Sequence, residues 1–207
     1  MKSEFRNDLA KEILLGEFLD KIYSESLSNF RIERITDLDL QNKGIDLIIH
    51  SKTTSFFIDE KAQLDYLDCD LPTFAFEITY LKNTTEHLGW LLDNNKTTQK
   101  YFLITGIYLN HPGYIESGIK NCKITSVDRP KLVRHLSDKG LDYKNIMDIN
   151  QSLRKLNHNG AFVTEHLKDK TEGRFHFSRL NKAEQPINLV LKLDYLIRIG
   201  VAKMFHH

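Results

Sequence analysis

Hydrophobic and polar residues alternate most cleanly between Gly44 and Gln63. GIDLII and SFFIDEKAQ are two short apolar-rich runs separated by the polar break Ser51, Lys52, Thr53 and Thr54. That pattern predicts strand–turn–strand. Side chains alternate across a strand, so Asp46, Ile48 and His50 share one face of the first run. Phe57, Asp59, Lys61 and Gln63 share one face of the second. A loop over Ser51 to Thr54 sets His50 opposite Ser55. The same register sets Asp46 opposite Asp59, with Cβ atoms about 5 Å apart.

The rest of the chain reads as mixed helix and strand. Residues 7–27 carry Leu9, Ile13, Leu14, Phe18 and Ile22 at helical spacing, with Asn7 or Asp8 as cap. Residues 30–39 alternate weakly, as a first strand and turn. Asp65, Asp68 and Asp70 fall in an acidic loop or short helix without calcium-loop spacing. Pro72 opens a strand in which Thr73, Ala75, Glu77 and Thr79 share a face, so Glu77 is a candidate ligand if this strand neighbours the hairpin. Residues 86–98 read as a polar loop around Trp90, and 101–108 as a buried strand. Pro130 starts a helix that Gly140 ends. A second helix is expected over 145–157, a hairpin over 160–177, and strand or helix over 189–199. Residues 203–207 read as a disordered end.

The chemistry lies in the hairpin. Two adjacent carboxylates repel unless a cation sits between them. Hard oxygen ligands suit Mg²⁺ or Mn²⁺. Such an ion polarises phosphoryl oxygens and acidifies water. A neighbouring lysine orients that water and offsets charge developing on phosphate. Asp46, Asp59 and Lys61 therefore read as a metal-dependent phosphodiesterase site, with His50 as an alternative base.

Asp46 followed across a turn by Asp59-Glu60-Lys61 resembles the PD-(D/E)XK nuclease superfamily, whose motif is an acid on one strand and acid-any-Lys on the next. The likeness spans roughly residues 12–105, although Gly44-Ile45 stands where the literal Pro would be. Looser similarity around Gly89-Trp90-Leu91 points to phage-borne or bacterial branches. The resemblance implies a restriction-endonuclease-like α/β fold, a mixed central sheet flanked by helices. It implies Asp46 and Asp59 as metal ligands with the Glu60 backbone carbonyl, Lys61 as the catalytic lysine, and Gln63 as an accessory polar residue. It also implies a helical glutamate near the metal, either Glu17 or Glu12. Residues 1–125 would form this core, with a helical, basic segment over 126–207 packed on it.

Composition adds limits. The 207 residues, 41% apolar and 28% charged, suit a globular chain with no apolar run near the ~20 residues of a membrane span. The N-terminus lacks a signal-peptide pattern, and Cys69 and Cys122 form neither a disulfide framework nor a zinc motif, so a cytoplasmic setting is expected. Residues 1–100 hold 18 acids and 12 bases, whereas 151–207 hold 5 and 10. Phosphate contacts would come mainly from the second half; the candidates are Lys96, Lys100, Lys131 and Arg134. The expected partner is DNA, with a homodimer in view because double-strand cutters often pair. The alternative is a non-catalytic binding or interaction module on the same fold.

Overall fold

The computed structural model describes residues 2–180 and 182–207, with side chains from Lys11 onward. In chain order the elements are α1 (Lys2–Ser26), β1 (Arg31–Arg34), α2 (Leu38–Asn42), β2 (Leu47–His50), β3 (Ser55–Ala62), β4 (Thr73–Lys82), β5 (Thr85–Leu88), β6 (Lys100–Leu109), β7 (Ile119–Asp128), α3 (Arg129–Asp138), α4 (Tyr143–Lys155), β8 (Gly160–Phe162), β9 (Gly173–Phe177), β10 (Ile187–Lys192), α5 (Leu193–Arg198) and β11 (Ala202–His206). The protein is α/β, with two sheets divided between two compact units.

The first unit comprises Met1–Leu71, Thr97–Val127 and Lys203–His207. Its six-stranded sheet runs β1-β2-β3-β6-β7-β11. β1, β2 and β3 pair antiparallel, and β3 runs parallel to β6, so the sheet is mixed. Leu15, Leu19, Ile22 and Tyr23 of α1 pack on Leu47, Ile49, Ile58, Phe102 and Ile104. That stripe differs from the one read in the sequence. Ile13 is 55% exposed, because two residues turn a helix by about 200° and put Ile13 opposite Leu15.

Ahead of the hairpin, Asp37 caps α2 by accepting from the Leu40 N–H at 2.9 Å, making a short helix where the sequence suggested a turn. Gly44 follows at φ 73°, a left-handed conformation costly for any residue with a Cβ, and redirects the chain into β2. The Thr98 hydroxyl donates to the Gly44 carbonyl at 2.7 Å and holds that bend.

Residues 203–206 belong to a strand rather than a disordered end. β11 lies next to β7, and Phe205 stacks on Phe102 with ring centroids 5.1 Å apart and packs at a tilt on Tyr23 at 6.1 Å.

The second unit comprises Pro72–Lys96 and Asp128–Ala202. Its sheet runs β5-β4-β10-β9-β8, all antiparallel, over buried Phe76, Phe175, Phe177, Leu189 and Leu191. Part of the polar loop expected over 86–98 is strand β5. Residues 189–199, open between two readings, satisfy both: β10 gives way to α5 at Leu193. β4 and β5 belong to the second unit before the chain returns to the first for β6. No described helix is long and apolar enough to cross a membrane.

Phe205→Ala tests the terminal strand. The ring is only partly buried, so the loss should be about 2 kcal/mol, below the 3–5 of a fully buried phenylalanine. Urea unfolding would read it, and an unchanged midpoint would return these residues to a dispensable tail.

Candidate functional site

The β2–β3 ladder pairs His50 with Ser55 and Leu47 with Ile58, the register expected from the sequence. Regular pairing stops at Leu47. The Asp46 N–H donates to the Ile58 carbonyl at 2.9 Å, and the Asp46 carboxylate accepts the Glu60 N–H at 2.8 Å. A backbone donor from the facing strand thus holds Asp46 where the ladder ends, within hydrogen-bonding reach of the Asp59 carboxyl.

Asp59 is 1% exposed. Burial pushes its carboxyl up, the Lys61 ammonium opposes that, and the Asp46 carboxylate adds to the rise, leaving it at about 7 against an ordinary 3.8. Lys61 Nζ forms an ion pair with Asp59 Oδ1 and lies 3.4 Å from the Glu60 carbonyl oxygen. Its side chain is 30% exposed, so it reaches from the buried acid to solvent. Two acids and one amine converge on one face of the hairpin.

Glu60 faces the other way. Its Oε1 accepts from the Tyr23 hydroxyl and its Oε2 from Arg34 Nη1, each at 2.6 Å. Arg34 also bridges to Asp20 at 2.6 Å. Burial, then the Glu60 charge, raises the Tyr23 phenol well above its usual range. The Glu60 side chain is therefore spent on α1 and β1; only its backbone carbonyl remains near Lys61. Arg34 and Tyr23 escaped the sequence reading, though a signal existed. Strand alternation turns Glu60 away from Asp59 into the apolar side of the sheet, and a carboxylate there needs a cation.

Gln63 follows β3 on the Lys61 side by alternation, half-buried, its N–H donating to the Ile104 carbonyl at 3.0 Å. Thr105 and Thr125 lie on the same side by alternation along β6 and β7. Their hydroxyls are buried without a hydrogen-bond partner among the described residues, and nothing in the pattern of the sequence marked them. His50 is held by Ser55 at 2.8 Å and Glu33 at 3.1 Å, which ties it to the turn end of the hairpin.

Three proposed ligands lie on other elements. Glu17 and Glu12 are exposed on α1, which packs on the Ile58 side of the sheet, opposite Asp59. Glu77 lies on β4, opposite Asn188 of β10; the strand beside the hairpin is β6. Among the described residues no group of three or more His, Cys, Asp or Glu could hold a metal ion. The oxygens brought to this place include the Asp46 and Asp59 carboxylates and the Glu60 carbonyl. The four basic candidates divide between units. Lys100 starts β6 with its Nζ 5.7 Å from the Phe56 ring centre. Lys96, Lys131 and Arg134 belong to the second unit, the last two exposed on α3. A cavity of about 300 Å³ also lies in the second unit, between α3, the start of α4 and Leu91–Asn94, with no hairpin carboxylate in its lining.

Two outcomes follow from these contacts. Arg34→Ala strands the Glu60 carboxylate, whose side chain is only 12% exposed, and should cost about 3 kcal/mol in urea unfolding, with Arg34→Lys recovering part. Asp59 binds a proton more tightly folded than unfolded, so its contribution to stability is full below pH ~4 and is lost as pH rises through about 7. Metal-free Asp59→Asn protein should accordingly melt higher than wild type at pH 8, the gap narrowing as pH falls and closing below pH ~4; parallel melting curves across that span would contradict the burial argument. Compared with known proteins, the chain matches no family model, no curated protein and no solved structure.

Proposed function

We propose that this chain is a metal-dependent nuclease that hydrolyses phosphodiester bonds in DNA, on a restriction-endonuclease-like core of the PD-(D/E)XK type. The observation that carries the reading is the convergence of Asp46, Asp59 and Lys61 on one face of the β2–β3 hairpin, with the Asp59 carboxyl held near neutrality. The parallel β3–β6 pair inside a mixed sheet supports the fold assignment.

The donor set fits Mg²⁺ or Mn²⁺. Asp46, Asp59 and the Glu60 carbonyl are all hard oxygens, and the Lys61 ammonium pairs with Asp59 while the adjacent Asp46 carboxylate is held by a neutral backbone N–H, a charge pattern that a cation would balance. When bound, the ion supplies positive charge to the phosphoryl oxygens and acidifies water. The chain's own groups do the rest. Asp46 and Asp59 hold their oxygens in place through the Glu60 N–H and the hairpin register. Lys61, anchored to Asp59 and open to solvent, orients the attacking water and offsets charge gathering on phosphate. The water oxygen bonds to phosphorus and gives up a proton to solvent, as the bond to the leaving sugar oxygen breaks and that oxygen takes up a proton from solvent.

The second unit supports a nucleic-acid substrate. It holds 16 Lys and Arg against 12 Asp and Glu, whereas the first unit holds 13 against 16. The acids thus concentrate in the unit that carries the proposed metal site.

Lys61→Ala should lose cleavage of a plasmid substrate in Mg²⁺ by at least about 100-fold, the scale of one preorganised electrostatic contact. It should stay folded at the assay temperature but melt below wild type, because buried Asp59 loses its cation, and its Mn²⁺ affinity should not fall. Asp46→Ala should lose both cleavage and Mn²⁺ binding. Turnover retained in purified Lys61→Ala would refute the assignment. A wild-type chain that neither binds Mn²⁺ nor cleaves would instead be a non-catalytic module.

A further inference from the structure

α3 and α4 are joined by four residues, Lys139 to Asp142. Gly140, at φ 80°, takes the left-handed conformation that ends α3, and the Leu141 N–H returns to the Leu136 carbonyl at 2.8 Å. Asp142 caps α4 through the Asn145 N–H at 2.8 Å, while the Asn145 side chain donates to the Gly140 carbonyl at 2.9 Å. Leu132, Leu136, Leu141 and Ile146 are buried on the inner side of the two helices, the last three lining the cavity between α3 and the start of α4. Two helices joined by a short, glycine-containing, doubly tied turn have the form of a helix-turn-helix.

The rotation of α4 about its own axis is fixed from below. Asn150, fully buried, accepts from the Thr79 hydroxyl at 2.6 Å and donates to Glu86, and Arg154 Nη2 donates to the same Thr79 hydroxyl at 2.8 Å. With Ile146, Asn150 and Leu153 turned inward, Lys144, Asp148, Gln151 and Lys155 form the exposed face.

A hairpin follows. β8 and β9 pair from Gly160–Phe177 to Phe162–Phe175, and their connection carries Lys168 and Lys170, both exposed. The connection is fastened to the turn between the helices. His166 Nδ1 donates to the Lys139 carbonyl at 3.0 Å, Lys139 Nζ pairs with Glu172 at 2.7 Å, and Leu167 is buried.

We propose that α3, the turn, α4 and the β8–β9 hairpin form a winged helix-turn-helix that docks on duplex DNA, with α4 in the major groove. Charge favours that occupant. Residues 128–177 hold 10 Lys and Arg against 7 Asp and Glu. Four of those acids are engaged: Asp128 and Asp142 cap helices, Glu172 pairs with Lys139 and Asp169 with Arg174. Asp138, Asp148 and Glu165 remain, against exposed Lys131, Arg134, Lys144, Lys155, Lys168 and Lys170. Geometry favours DNA over RNA. A helix about 10 Å across enters the ~12 Å major groove of B-DNA, whereas the deep, narrow major groove of A-form RNA admits no side-chain reading. Gln151 carries the chemistry to contact an adenine edge, and Lys144 and Lys155 stand on the same face as phosphate contacts. The module binds without cutting, so this inference stands apart from the metal site.

The test is fluorescence anisotropy of the full chain in EDTA with a 30-base-pair DNA duplex, and with the RNA duplex of equal sequence, over a range of salt. Lys144→Ala/Gln151→Ala/Lys155→Ala should bind the DNA duplex at least tenfold more weakly and reduce the slope of log affinity against log salt by about 2, roughly 0.9 for each phosphate no longer neutralised. Lys168→Ala/Lys170→Ala should flatten the slope similarly, and the RNA duplex should bind at least tenfold more weakly than DNA. All five positions are exposed, and thermal melts check that each variant is folded. The inference is overturned if wild type fails to bind the DNA duplex, if the α4 triple variant binds within twofold of wild type with an unchanged slope, or if the RNA duplex binds equally well. Because binding is read without metal, either result leaves the cleavage assays to judge the hairpin site by themselves.

Discussion

A carboxyl with almost no access to water, pressed against a second carboxyl, is the constraint around which the first unit is built. Asp59 is tolerable there because Lys61 stands on the same face and Asp46 is held by a backbone donor rather than left to swing away. That arrangement demands a strand that cannot roll. The roll is prevented from behind, where Glu60 is gripped by Tyr23 and Arg34. One residue of β3 thus anchors the strand to α1 and β1, and its two neighbours are presented on the opposite face.

The second unit uses the same device with different residues. Asn150 and Arg154, tied to Thr79 and Glu86, fix the inner face of α4 with hydrogen bonds whose directions allow little rotation. Apolar packing alone would set how deep the helix lies but leave its rotation loosely specified. Buried polar groups are expensive to misalign. In each unit they determine which side chains an element turns to its opposite face: Asp59 and Lys61 on β3, and the exposed Lys144, Gln151 and Lys155 on α4.

The hairpin was legible in the sequence because its information is local. A short polar break, two alternating runs and side-chain parity suffice to place Asp46, Asp59 and Lys61 together. The partners of Glu60 were not, since they depend on β1 pairing with β2 and on α1 crossing that face, contacts between residues far apart in the chain. Glu77 misled for the same reason: its strand has the alternation of a site-lining element, but pattern does not say which sheet a strand joins. β7 gave little warning, as Lys120, Asn121 and Lys123 dilute its apolar positions. Among the helices, α3 and α4 were legible from Pro130, Gly140 and the Ile146–Leu153 spacing, whereas α2 rests on one capping aspartate.

The six-stranded sheet draws its strands from three separated stretches, with β11 contributed only after the second unit has been traversed. A chain emerging from the ribosome in order can close the second unit before Phe205 is available to pack on Phe102 and Tyr23. Vectorial synthesis therefore completes the six-stranded sheet last. A polypeptide ended before residue 202 would carry Asp59 and Lys61 on five of the six strands, without the edge strand whose Phe205 packs on Phe102 and Tyr23.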